Sequence, residues 1–336
     1  MPNPLAAHPP WRQLLIVSIA LPVLVTLAVL AFAWPAARVQ PRNLPVGVVG
    51  AGSQLAVGRL STTQPGAFDV HLYPDEAAAR AAIRNREVYG AFVLAPQQVQ
   101  VLTASAASPT VAQLLSSAGT KLAPGATSTD IVPLAHADPR GTVFSSALLP
   151  LTMCSLIVAA AIGLVARFRP AWRQLAALIL LSAVAGACVY LVGQSFLGAL
   201  PHQGLADWAA LTLTVFAMAA TGAGLVALWG PPGLGIAGGL MVFVGNPFSG
   251  VTSAPELLPD AVRRIGQALP PGAGANLLRS TAYFDGHGAS GPIAMLVTWA
   301  VLGCAAIALG HHAPIRFAAH RARPASRNPA VQTAHP

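Results

Sequence analysis

Residues 14–35, LLIVSIALPVLVTLAVLAFAWP, carry no charge and stand alone ahead of a polar stretch that runs from residue 36 to residue 142. Five further apolar segments follow that stretch, at 143–166, 174–200, 208–229, 233–252 and 292–310. A run of about 18 or more apolar residues, rising about 1.5 Å per residue, can cross a hydrocarbon core roughly 30 Å thick. Every backbone N–H and C=O in lipid needs a partner inside the protein, and these runs are about twice the length of a barrel strand, so the spans are helices. The fold expected is a polytopic α-helical membrane protein with six transmembrane helices (one plus five) and a small α/β domain inserted between helices 1 and 2.

Composition excludes a soluble domain. Of the 336 residues 54% are hydrophobic and only 9% charged, against about a quarter charged in ordinary globular chains; the mean hydropathy is +0.62. A net charge of +9 would, in a soluble protein, point to nucleic acid. Its placement points elsewhere. Arg12 precedes helix 1, Arg167, Arg169 and Arg173 lie between helices 2 and 3, and Arg316, Arg321, Arg323 and Arg327 follow helix 6. The acids fall in the other loops: Asp69, Asp75, Glu76, Glu87, Asp130 and Asp138 in the insert, then Asp207, Glu256, Asp260 and Asp285. The positive-inside rule then puts residues 1–13 and the basic, disordered tail 313–336 in the cytoplasm and 36–142 outside, which needs an even number of spans. Nucleic acid is not a partner on this reading; the lipid bilayer is. Cys154, Cys188 and Cys304 all sit in spans, so the insert has no disulfide framework, and no cluster has metal-ligand spacing. Neither a metal nor a cofactor is expected.

The insert reads as β-α-β-α-β-β-α: strands at 44–49, 67–72, 88–94 and 99–102, helices at 53–63, 74–86 and 110–122. Pro74-Asp75-Glu76 suits a helix start, with a proline in the first turn and acids at the positive end. Residues 119–130 read as a linker, and Asp138-Pro139-Arg140-Gly141 turns the chain into helix 2.

The segment after the fifth span is the unusual one. Asn246-Pro247 interrupts span five, a break that lipid tolerates only where protein or water surrounds it. An amphipathic helix follows at 256–269, with Leu258, Val262, Ile265 and Leu269 on one face. Pro270-Pro271-Gly272 breaks it, and 276–284 offers a second short outer helix carrying Arg279. Ser182 and Gly186, and Gly235 and Gly239, have the small-residue spacing that lets helices approach closely.

Motifs of catalysis are weak or missing. Residues 233–238 match a dinucleotide fingerprint in letters, but no strand precedes them and they lie in a span, so the glycines read as helix packing. Gly288-Ala289-Ser290-Gly291 resembles a serine-protease motif without a base placed to activate the hydroxyl. No P-loop is present and Lys121 is the single lysine, so the chain is not expected to be an enzyme. The apolar segments contain no Asp, Glu, Lys, Arg or His. Ion-coupled pumps need such groups, so energy for uphill movement must come from a partner. The polar groups in and beside the spans that could form a gate or solute path are Gln194, Ser195, Asn246, Pro247 and Arg279.

The order of these parts resembles the membrane subunit of type-2 ABC exporters, within them the phage-infection-protein group. The residues that carry the likeness are 44–49 opening the insert, Val88-Tyr89-Gly90-Ala91-Phe92-Val93-Leu94, and Val132-Pro133-Leu134 with Asp138-Pro139-Arg140-Gly141. Before helix 6 they are Leu258-Pro259, Leu269-Pro270-Pro271-Gly272, Leu278-Arg279 and Tyr283-Phe284-Asp285-Gly286. The resemblance implies a permease in the cytoplasmic (inner) membrane of a bacterium, a homodimer or heterodimer of permease chains, and a separately encoded ATP-binding subunit. It implies that Arg167, Arg169, Trp172 and Arg173 form the loop that couples to that ATPase, and that the outer helices at 256–284 form a lid. The cargo expected is an apolar or amphipathic solute. The alternative is a membrane-anchored scaffold or receptor whose outer domain binds a cell-surface partner.

Overall fold

The computed structural model describes residues 10–50, 53, 58, 65–95, 98–166, 168–201 and 204–312. The helix expected over 53–63 falls almost wholly outside them, as do Arg167, His202 and the basic tail.

Helix α1 (Pro10–Ala36) leads into a five-stranded sheet formed by β1 (Leu44–Gly50), β2 (Phe68–Tyr73), β3 (Gly90–Leu94), β4 (Val99–Thr103) and β5 (Thr127–Asp130). The order is β2-β1-β3-β4-β5; β1 lies parallel to β2 and β3, β3 antiparallel to β4, and β4 parallel to β5. β1 is central, and Val46, Val48 and Val49 are buried, as suits a strand covered on both faces. Helix α2 (Glu76–Arg84) covers one face through Ala79, Ala82 and Ile83, and α3 (Pro109–Leu122) covers the other through Val111 and Leu115. Both helices begin where side chains satisfy the first free N–H groups: Asp75 accepts from Ala78 N at 2.8 Å, and Ser108 from Val111 N at 3.2 Å. The linker expected over 119–130 is corrected at both ends: α3 runs to Leu122, and 127–130 form β5. Its residues Thr-Ser-Thr-Asp carry no apolar alternation, and it is held instead by edge pairing, with Gln100 Nε2 donating to Thr129 Oγ1 at 3.1 Å.

The remaining helices are α4 (Thr142–Ala160), α5 (Ala171–Leu191), α6 (Gly204–Trp229), α7 (Pro231–Gly238), α8 (Asp260–Ala268), α9 (Pro270–Tyr283) and α10 (Ser290–His312). α4 and α5 each end in a widened π-helical stretch, Ala161–Val165 and Val192–Phe196. Among the described residues five helices, α1, α4, α5, α6 and α10, are long and apolar enough to cross a membrane. α6 is the centre of the bundle, with α4, α5, α7, α9 and α10 all packed on it. Most of the apolar length of α1 is exposed, with Leu14 and Ile16 both about two-thirds accessible (66% and 67%). Such a face suits lipid and not water.

Three expectations are corrected here. The segment expected as the fifth of six spans is not among these five helices, and it does not break at Asn246-Pro247: α7 continues through a π-helical stretch, Gly239–Gly245, and a last turn, Asn246–Phe248. A proline clashes with the carbonyl four residues back; here that residue is Phe243, inside the widened stretch, which makes the room. Next, Pro270-Pro271 opens α9 rather than leaving a gap before 276, since prolines suit the first helical positions, where N–H groups lack partners anyway. Third, α6 starts early enough to include Asp207, fully buried in its first turn, where the positive helix end favours an acid. One acid therefore stands at the head of an apolar helix. Small-residue packing holds for Ser182 and Gly186, where Gly186 lies against Thr212, but Gly235 and Gly239 face open space.

Candidate functional site

The α/β domain is fastened to the helices by the segment between α7 and α9. Its short 3-10 turn, Pro255–Leu257, passes under the sheet, and Ala254 and Leu257 complete the same apolar core as Leu44, Val48 and Phe92. Gln40 N and Arg42 N donate to Leu257 O and Glu256 O, each at 3.0 Å, so the exit of α1 adds a backbone tie. On the other sheet face Phe284 is buried against Val49 and Ile83. Arg86 stacks over the Phe284 ring at 5.2 Å and donates to Ser280 Oγ at 2.5 Å, and Tyr89 Oη donates to Glu256 Oε2 at 2.5 Å. Burial, and then the Glu256 charge, hold the Tyr89 hydroxyl well above its ordinary value, so it stays protonated and donating. A cavity of about 550 Å³ lies at this joint, between Arg86, Glu256, Gln267, Asn276 and Met295.

Below the joint, α4, α5, α6 and α9 leave a cleft of about 410 Å³. Its walls are almost entirely apolar, with Leu148, Leu211, Ala275 and Leu278 at its back. Cys154, Cys188 and Val192 are exposed at its rim, so its mouth lies on the outside of the bundle. Gly274 gives α9 a close approach to α6: a Cβ there would collide with Thr214.

Beside the cleft is a smaller cavity of about 130 Å³ with a different lining: Thr110, Arg140, Thr142, Ser145, Arg279 and Tyr283. Phe144 and Val251 belong to the walls of both. Arg279 is only 4% exposed, donates from Nη2 to Val251 O at 3.2 Å, and lies 5.0 Å from the Phe144 ring centre. Burial, and then the like charge of Arg86, lower its guanidinium to about 10, which leaves it charged at neutral pH. Asp138 fixes this corner by capping α4. Its carboxylate accepts from the backbone N–H groups of Thr142, Val143 and Phe144 at 2.8, 3.0 and 3.2 Å.

No family model, curated protein or solved structure matches the chain.

The residues singled out from the sequence do not share one cavity. Arg169, Trp172 and Arg173 are exposed together at the far end of the bundle, with Arg173 stacked 5.1 Å from the Trp172 ring and Gln174 Nε2 donating to Arg169 O at 2.8 Å. Arg167 lies outside the described residues. Gln194 and Ser195 sit in the widened end of α5, and although neighbouring Val192 and Gly193 line the cleft, they do not. Asn246 is a packing residue: buried, it donates to Thr152 Oγ1 at 3.2 Å and to Met241 O at 3.2 Å, tying α4 to the end of span five, and Pro247 follows it in the same turn. Of the five candidate path residues, Arg279 alone lines one of these three cavities. Ser290 begins α10, and His287, three residues before it in the chain, has Nδ1 2.8 Å from Phe284 O.

Sequence reasoning gave no site role to Phe144, Arg140 or Tyr89. Arg140 had a signal, being a lone base in the turn before α4. Phe144 had none, since one aromatic among many apolar residues carries no mark of the cavity it faces.

Proposed function

We propose that this chain is the permease subunit of an ABC-type exporter that moves an apolar or amphipathic solute across the cytoplasmic membrane of a bacterium, powered by a separately encoded ATPase. On this reading the chain crosses the bilayer six times, with α7 and its continuation as the fifth pass. The ends of the chain lie in the cytoplasm, the α/β domain lies outside, and two permease chains assemble.

The cleft is the observation that carries the reading. Its volume of about 410 Å³ is within the range of small-molecule sites, and apolar walls with a mouth on the lipid-facing side let a solute enter from the bilayer. A scaffold needs no such opening. The energy argument supports the same reading: among the described residues Asp207 is the only acid within the five apolar helices, and it stands at a helix head, bonded by Thr281 Oγ1 at 2.7 Å. A single group there makes no relay through the bundle. The exposed Arg169, Trp172 and Arg173 offer a contact surface at the far end.

The test is retention. Tagged chain extracted from membranes in mild detergent is expected to bring down a P-loop ATPase, and Arg169→Glu combined with Arg173→Glu is expected to abolish this while leaving the domain equally accessible to external protease. The protease control is needed because the same arginines orient the helices. A wild-type chain that retains no ATPase sinks the exporter reading in favour of the scaffold. ATPase retained by the doubly substituted chain removes only the loop assignment.

A further inference from the structure

The two adjoining cavities differ in chemistry in a way that bears on the solute. The cleft is apolar, while the smaller cavity presents two guanidinium groups and the hydroxyl side chains of Thr110, Thr142, Ser145 and Tyr283. Arg279 is nearly fully buried, yet the one hydrogen bond it makes among the described residues uses a single donor out of the five that a guanidinium carries. No carboxylate forms an ion pair with Arg279 or Arg140 among the described residues. The nearby acids are engaged elsewhere, Asp138 with the first turn of α4 and Glu256 with Tyr89. The Glu256 charge favours the Arg279 cation without pairing with it, and a buried cation with no carboxylate bonded to it is costly, so an anion entering the small cavity would meet fork-shaped donors with charge to be neutralised. About 130 Å³ of space exceeds several-fold the roughly 10–15 Å³ that one water needs by the same kind of measure, enough for a tetrahedral oxyanion. Phe144 is the partition, with its ring against Arg279 on one side and the cleft on the other.

We infer that the solute is an anionic amphiphile, with a phosphate-type head held by Arg279 and Arg140 in the small cavity and an apolar chain lying in the adjoining cleft. This rests on the cleft being the solute's site and adds the chemical class of the solute. Arg140 is exposed at the rim and can close over the head, while Arg279 waits at the back.

Binding to the full chain in maltoside micelles, which contain no phosphate, tests it. The probes are hexadecyl phosphate, hexadecanol and inorganic phosphate, with occupancy read by native mass spectrometry. Hexadecyl phosphate is expected to bind at least about tenfold more tightly than hexadecanol, the scale of one charged hydrogen bond. Arg140→Gln should remove most of that margin without changing hexadecanol binding. Cys154→Trp, which fills the cleft from its rim, should weaken both chain-bearing probes. Arg279→Gln should remove the margin entirely; because a buried position can compromise folding, Arg140→Gln carries the decision. Equal binding of hexadecanol and hexadecyl phosphate overturns the inference and leaves an apolar solute. Inorganic phosphate binding as tightly as hexadecyl phosphate also overturns it, since the cleft then contributes nothing. Binding of neither chain-bearing probe removes the cleft as a solute site as well. No ATPase takes part in this assay, so failure of the exporter reading appears only in the retention experiment.

Discussion

Tyr89 and Glu256 show how much one contact at the joint depends on protonation. The Tyr89 hydroxyl donates to a carboxylate from a half-buried side chain, and both desolvation and that charge oppose its ionisation. Its folded value therefore lies above the ordinary value of about 10 that applies in the unfolded chain. The folded state holds the proton more tightly, so this contribution to stability is whole below pH about 10 and is lost as pH rises from there toward the folded value. Tyr89→Phe leaves Glu256 without its donor and is expected to cost about 1–3 kcal/mol at neutral pH. The gap between wild type and variant should narrow above pH 10, as measured by denaturant unfolding in detergent; a gap independent of pH would assign Tyr89 a packing role only. The partners of such pairs could not be read from the chain, because Tyr89 and Glu256 are 167 residues apart. What was legible at this scale was local: the helix start at Pro74-Asp75-Glu76 and the turn at 138–141 each act on a helix that begins within a few residues, whereas the Ser108 cap was not read.

Among the elements, long apolar helices were readable because apolar residues are sustained along the whole run, and the spans expected at 143–166, 174–200 and 208–229 correspond to α4, α5 and α6. The irregular region after span five was read less well. Its signals, Asn246-Pro247 and Pro270-Pro271, are compatible with either a break or a helix start, and packing decided between them. Gly266 shows that packing: a Cβ there would fall on the Phe248 carbonyl, so α8 can cross the end of α7 only with a glycine at that point. Gly266→Ala is expected to cost about 1–3 kcal/mol through overpacking. Gly235→Ala in α7 meets open space and should be neutral or stabilising by up to about 1 kcal/mol, as alanine favours a helix over glycine. Melting temperatures of the two variants in one detergent compare them directly. Equal losses would mean that the α7–α8 crossing is loose.

For the whole molecule, the question is whether the α/β domain is a separate body hung on the helices. The sequence presents it so, since one continuous stretch supplies every strand. Its two apolar cores say otherwise. Ala254 and Leu257 fill one face of the sheet and Phe284 the other, all three arriving from beyond α7, and Arg86 reaches back to Ser280 on α9. A displacement of α9, which packs on the central helix α6 and lines the cleft, is thereby tied to the sheet. Residues 37–140 produced alone would expose the seats of Leu257 and Phe284 to water, and each large apolar side chain restored to such a seat is worth about 1.5–3 kcal/mol. The fragment is therefore expected to unfold at lower denaturant concentration than the domain does within the full chain, with faster amide exchange in β1 and β3. Leu257→Ala in the full chain should reproduce part of that loss, by about 2–5 kcal/mol for a buried leucine, and should also raise exchange in α9. An excised fragment as stable as the intact domain, with α9 unaffected by Leu257→Ala, would mean that sheet and bundle move independently, and the domain could then have no part in opening the cleft.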